Sequence, residues 1–245
     1  MSAQYTGEIF AERRDVAWPM SPSKFVAAAL LAVTVAVPMS AARKSDPNSL
    51  DAVIRKVQEV QKATKTLQAE FRQEKELALL SKPEVSTGTF TFSRPSNVLW
   101  QYEAPKRVRM LIANGMLTTY YPDLNKAEQV DVKRYQDRIF KYMGATGAID
   151  ELSQYFDFTF IDNAASPTWT LDLNPKSRVV AKRVKHIRLA IDKKTYLTTK
   201  VEYTEGDGDI TRYEFTNIKV NQPVEQGRFS LNLPPTVRVE QMKIQ

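Results

Sequence analysis

The sequence contains no cysteine and a single histidine, His186. Without cysteine there is no thiolate nucleophile, no CxxC redox pair and no Cys-ligated zinc. One histidine excludes a multi-histidine metal site. A Ser-His-Asp triad would have to use His186, which lies in the basic, strand-like run KRVKHIRLAI with no partner set around it. The strings GxSxG, GxxxxGK[ST] and GxGxxG are absent, so the nucleophile elbow and the Gly-rich phosphate cradles are missing too. Carboxylate pairs give no chemistry either. Asp150-Glu151 reads as a helix start, and Asp207 and Asp209 sit in a Gly-rich tip with too few oxygen ligands for a calcium loop. These absences exclude most enzyme classes and imply neither metal nor cofactor. No nucleic-acid module is recognisable, so the net charge of +7 is not read as a nucleic-acid footprint.

What is present begins with FVAAALLAVTVAV (25–37), thirteen apolar or nearly apolar residues behind Lys24. The run is shorter than the roughly 20 residues a spanning helix needs. PMSAA follows, with Ser40-Ala41-Ala42 supplying the small residues that a signal peptidase prefers. Residues 1–42 therefore read as a cleavable secretory signal, and 43–245 as a single mature domain. Glu8, Glu12 and Asp15 are unusual ahead of such a run, whereas MSPSKFVAAALL is an ordinary start, so Met20 is a candidate initiation site. With no cysteine after the apolar run, lipid attachment through an N-terminal Cys is excluded. A soluble, exported product is the expectation. Its basic residues are scattered, apart from RVVAKRVKHIR (178–188), and read as a solvated sheet face.

In the mature part, Leu50, Val53, Ile54, Val57 and Val60 recur at helical spacing, with charged residues off the stripe. This predicts an amphipathic helix over 48–64, capped by Asn48 or Ser49. From Thr66 the period changes to two. Strand patterns follow at 85–93, 97–103, 107–113, 116–121, 127–133, 156–162, 168–174, 183–192, 196–205 and 210–220, with a short helix near 148–154. Asn114-Gly115 is the strongest turn signal between them. The pattern gives a mainly β chain, ten or eleven short strands with two helical insertions, in one large antiparallel sheet that curls into a barrel or half-barrel. A sheet that curved has an apolar concave face to be filled by its own side chains, by helices or by a ligand.

One stretch, TFTFSRPSNVLWQYEAP (89–105), sharpens that question. Phe90 and Phe92 alternate with Thr89, Thr91 and Ser93, Val98, Trp100 and Tyr102 alternate with Leu99, Gln101 and Glu103, and Arg94-Pro95 stands between the halves. The plain reading is core. Whether both halves face one side stays open, since the corner can shift the alternation by one residue.

The same stretch carries a resemblance. Gly88-x-Phe90-x-Phe92-x-Arg94-Pro95 followed by Trp100-x-Tyr102 and Pro105, TLQAEFRQE with Phe71 and Gln73, LIANGMLTTYYPDLNKAEQ, and RFSLNLPPTVRV occur in this order. Together they resemble the outer-membrane lipoprotein carrier (LolA-like) family from Leu50 to Val239. One departure is Met116-Leu117-Thr118-Thr119, where the family pattern carries a small residue and then an aromatic. The resemblance implies a fold that is mainly β with an α lid, a strongly curved antiparallel sheet of about eleven strands forming an unclosed barrel covered by helices. It implies a monomeric periplasmic carrier, not an enzyme, whose hydrophobic cavity accepts acyl chains of lipoproteins. An inner-membrane ABC transporter would release the cargo and an outer-membrane receptor would take it. The cavity wall would comprise Phe71, Phe90, Phe92, Val98, Trp100, Tyr102, Met110 and Ile112, and Arg94 would latch the lid. The alternatives are a carrier or sensor of another envelope lipid, or an envelope regulatory binding domain of the same fold.

Overall fold

The computed structural model describes residues 49–78, 82–134, 148–225 and 227–243, with the backbone alone for 148–151. The expected export signal and the Met20 start lie outside these residues, as do the side chains of Asp150 and Glu151.

The chain opens with helix α1 (Leu50–Ala63). Ser49 Oγ accepts the Ala52 N–H, Asp51 sits in the first turn and Lys62 in the last, each at the helix end that favours its charge. Val53, Val57 and Gln61, spaced by four, form its buried face. The helix stops at Thr64, whose backbone N–H and hydroxyl both donate to Val60 O.

Six strands follow: β1 (Thr66–Glu76), β2 (Glu84–Ser93), β3 (Asn97–Ala104), β4 (Val108–Ala113), β5 (Met116–Tyr121) and β6 (Lys126–Asp131). After α2 (Ala148–Tyr155) come β7 (Phe156–Ile161), β8 (Thr168–Pro175), the four-residue helix α3 (Arg178–Ala181), β9 (Val184–Asp192), β10 (Thr198–Glu205), β11 (Ile210–Val220) and β12 (Arg238–Met242). Asn114 and Gly115 both take positive φ, as the tight β4–β5 turn requires. The strand patterns read from the sequence match β1 to β11, and the period-two run from Thr66 continues to Glu76. The sheet has twelve strands, not eleven, and it is not wholly antiparallel. β12 lies parallel to β6, which five C-terminal residues without a turn signal did not announce.

The strand order is β12-β6-β5-β4-β3-β2-β1-β11-β10-β9-β8-β7. Two antiparallel meanders, β1–β6 and β7–β11, thus meet at a β1–β11 seam, and the edges β12 and β7 do not pair, so the barrel is unclosed. The curvature shows in side-chain reach. Strands three places apart in a flat sheet stand about 14 Å apart, yet the hydroxyls of Tyr102 on β3 and Tyr213 on β11 are 3.3 Å apart. Residues paired across strands point to the same side. By register, Phe71, Phe90, Trp100 and Tyr213 therefore share the concave face with Val201, Leu189 and Leu171.

That face holds two clusters. Over β7–β10, Val53 and Val57 of α1 pack with Phe156, Trp169, Leu171, Leu173, Leu189 and Ile191, and Leu152 and Tyr155 of α2 join them. Over β1–β4, Phe71, Phe90, Phe92, Val98 and Ile112 form the second cluster together with Val132. A third lies on the convex side, where Leu99, Leu111, Tyr120 and Ala127 are covered by Leu231, Phe229, Leu233 and Val237 of the C-terminal segment. No helix among the described residues is long and apolar enough to cross a membrane.

Candidate functional site

The Arg94-Pro95 corner does not shift the alternation. Ser93 pairs with Asn97, Phe92 with Val98 and Phe90 with Trp100, so Phe90 and Phe92 from one half and Val98 and Trp100 from the other share the concave face, while Leu99 faces the convex side. Of the eight predicted cavity residues, Phe71, Phe90, Phe92, Val98, Trp100, Tyr102 and Ile112 pack in one cluster. Met110 pairs with Trp100 in register and is half-buried, beside that cluster rather than within it.

Three zones follow one another along the strands. At the first, beside the Arg94 corner, lie Phe92, Val98, Ile112 and Leu67. The Arg94 side chain reaches over to the end of α1, where Nε donates to Thr64 O at 2.8 Å and Nη2 to Gln61 O at 3.1 Å. The Arg94 backbone N–H also donates, to Lys65 O at 2.9 Å. The last carbonyls of a helix lack intrahelical partners and carry its negative dipole end. A guanidinium fork satisfies both needs at once.

The middle zone is a knot of rings. Phe71 sits edge-on to Trp100 and to Tyr102, each with centroids 5.0 Å away, and Phe90 lies 4.7 Å from Trp100. Gly88 makes room for it. A Cβ there would stand 1.9 Å from Gln101 O and 2.9 Å from Phe71 Cζ. The glycine of the Gly88-x-Phe90 string is thus a close approach between β2, β3 and the Phe71 ring. Tyr213 and Phe215 complete the knot, at 5.4 and 6.1 Å from Trp100. Sequence reasoning did not name them. Their alternation in 210–220 marks an inward pair, but only the β1–β11 register reveals what they meet.

The third zone is polar. Gln73 Nε2 donates to Tyr213 OH at 2.9 Å, and Tyr213 OH in turn is 3.3 Å from Tyr102 OH. Burial raises the phenol pKa of Tyr102 and of Tyr203, and carries that of Tyr213 well above its ordinary value. All three stay neutral hydroxyls across the physiological range.

The remaining candidates fall elsewhere. His186 Nε2 stands 3.5 Å from Asp172 Oδ1 on the convex face, where Asp172 is already bound by Arg188. Asp209 is buried in the β10–β11 tip and accepts the Ala78 N–H. No cluster of three or more metal-ligating side chains occurs among the described residues. An open depression of about 670 Å³ at Gln68, Val220 and Pro223 lies away from the ring knot, with Gln68 paired to the outward-facing Thr91.

Comparison with known proteins decides the family. A family model described as outer membrane lipoprotein carrier protein LolA matches residues 62–232. The chain belongs to the LolA family. An outer-membrane lipoprotein carrier protein of Pseudomonas fluorescens (strain Pf0-1) is 24% identical over 186 residues, 75% of this chain and 86% of that protein. The carrier of Methylococcus capsulatus (Bath) is 29% identical over 182 residues, covering 72% and 82%. Among solved structures, an uncharacterized conserved protein from Thermus thermophilus superposes with a TM-score of 0.51 at 8% identity, over 78% of this chain and 98% of that one. At that identity the likeness concerns the fold alone.

Proposed function

We propose that this LolA-family protein is a non-enzymatic periplasmic carrier. It takes the acyl chains of lipoproteins onto the concave face of its sheet and moves them from the inner to the outer membrane. Residues 1–42 would be the removed export signal, and 43–245 the working domain, acting as a monomer without cofactor. An inner-membrane ABC transporter would load it and an outer-membrane receptor would unload it.

The observation that carries this reading is the juxtaposition of the ring knot with the Arg94 contact to the end of α1. Each methylene buried against such a face gains about 0.8 kcal/mol, so an acyl chain needs no specific polar contact to bind. It must instead displace the rings from one another. In the closed form, Phe71, Phe90 and Trp100 fill the face themselves, and Arg94 holds the helix end to the β2–β3 corner. Loading exchanges ring–ring contacts for ring–acyl contacts and breaks the two Arg94 bonds. Release reverses both. A ligand that binds only the open arrangement shifts the balance by its differential affinity.

Native mass spectrometry of the protein purified from its own periplasm tests this directly. A bound di- or triacylated polypeptide is expected. A free lipid in its place would make the protein a carrier of another envelope lipid. A complex with an unacylated protein would make it a regulatory binding domain.

A further inference from the structure

The concave face is not uniform along its length. It is apolar beside Arg94 and carries hydroxyl and amide groups at the opposite end, and the hydrogen-bond inventory there does not close. The Trp100 indole N–H is buried and has no acceptor among the described residues. Tyr102 and Tyr213 carry two hydroxyl protons between them. Their single mutual contact uses one, and the Gln73 amide already donates to Tyr213. One phenol proton therefore has no acceptor among the described residues, whichever tyrosine donates. Two donors remain for an acceptor, inside a ring of aromatic faces: Phe71 lies 5.0 Å from Tyr102 and 6.1 Å from Tyr213, and Trp100 lies 5.4 Å from Tyr213. A buried donor left unsatisfied is costly, and a carbonyl oxygen with two lone pairs is the acceptor that takes two donors at once.

We propose that Trp100, Tyr102 and Tyr213, with Gln73 as the positioning residue for Tyr213, form a subsite for the carbonyl of a bound acyl group. This rests on the acyl-binding reading above and gives it a direction. The carbonyl sits at the polar end, and the hydrocarbon runs along Phe90, Phe92, Val98 and Ile112 toward the Arg94 corner. Because burial keeps the phenols protonated, the donors persist at alkaline pH. The head group, or the polypeptide attached to it, leaves the sheet at the end remote from the latch.

The test compares methyl laurate with tridecane, each delivered from cyclodextrin to the full mature chain, with binding read from tryptophan fluorescence. The wild type is expected to prefer the ester by roughly tenfold. In the Tyr102→Phe/Tyr213→Phe variant that ratio should fall several-fold, with only the Trp100 N–H left to donate, whatever happens to the two affinities separately. A second readout needs no variant to fold. With ¹³C-carbonyl methyl laurate, the carbonyl stretch in the wild-type complex should lie below its position in alkane solvent. Equal affinity for both ligands, a ratio that survives in the double variant, or an unshifted carbonyl band overturns the subsite while leaving the acyl-binding reading intact. Failure of both ligands to bind the wild type overturns that reading and the subsite with it.

Discussion

The two halves of the sheet solve the same problem differently. Over β7–β10 the concave face is centred on aliphatic side chains, with Phe156 and Trp169 set among them. Leu171, Leu173 and Ile191 are fully buried beneath Val53 and Val57 of α1, and branched chains interlock at crystal-like density. Over β1–β4 the same face is centred on rings whose centroids lie 4.7–5.0 Å apart, edge-on or tilted. Flat rings give up one partner for another with less loss of fit than interlocked branched chains. The convex side differs as well. Behind β3–β6, Leu99, Leu111 and Tyr120 are sealed by the C-terminal segment. Behind the other meander and the seam runs a row of alternating charge, Glu74–Arg212–Glu202–Arg188–Asp172. One half is a core closed by α1 with a charged back. The other is a ring-lined face with a braced back.

The contrast can be broken by substitution. Leu171→Ala should have the largest effect, about 2–5 kcal/mol of stability in urea unfolding, because α1 and its neighbours cannot collapse into the void. A loss under about 1 kcal/mol would mean that the aliphatic half is as pliable as the aromatic one. Gly88→Ala comes next at about 1–3 kcal/mol, since the added methyl meets a backbone oxygen that cannot rotate away. Its unfolding midpoint should fall, and an unchanged midpoint would show that the β2–β3 contact relaxes freely. Arg94→Leu should leave the fold intact. Amide exchange should quicken at residues 61–65, and handing cargo to an acceptor should be impaired. Normal transfer by this variant would remove Arg94 from the mechanism.

The smallest effect belongs to the charge row. The Arg188 guanidinium, bonded to both Asp172 oxygens at 2.6 and 3.1 Å, holds that carboxyl below its ordinary value of 3.8. A depressed folded-state value means that the contribution is complete above about pH 4 and is lost as pH falls through the lower folded value. Asp172→Asn should therefore cost no more than about 1 kcal/mol at neutral pH. The difference from wild type should vanish in acid. A cost that persists at low pH would assign it to packing instead.

Much of this architecture could be read from the chain. Period-two runs placed β1 to β11, the Val53–Val57 stripe placed α1, and Asn114-Gly115 placed a hairpin, since each is a local consequence of backbone geometry. The long-range facts were not legible. Nothing in Leu99 or Leu111 says that their side of the strand is buried, because what covers them lies more than a hundred residues away. The carbonyls that Arg94 binds belong to the backbone of Gln61 and Thr64, and backbone acceptors leave no mark in a sequence. Tyr213 and Phe215 became part of the site only through pairing with β1. The facing of Phe90 and Trp100 was settled by register, not by alternation.

The β1–β11 seam has a consequence for how the chain reaches this structure. Within each meander, partners are near neighbours and can pair as soon as they exist. Gln73 and Tyr213 are 140 positions apart, and β1 stays an open edge on one side until β11 arrives. Closing so long a loop costs entropy before any contact rewards it. The β1 strand, with Phe71 at its centre, is thus the first strand made, yet it is paired on both sides only when β11 follows. The residue at the middle of the ring knot waits for Tyr213 and Phe215 long after its other ring partners are in place.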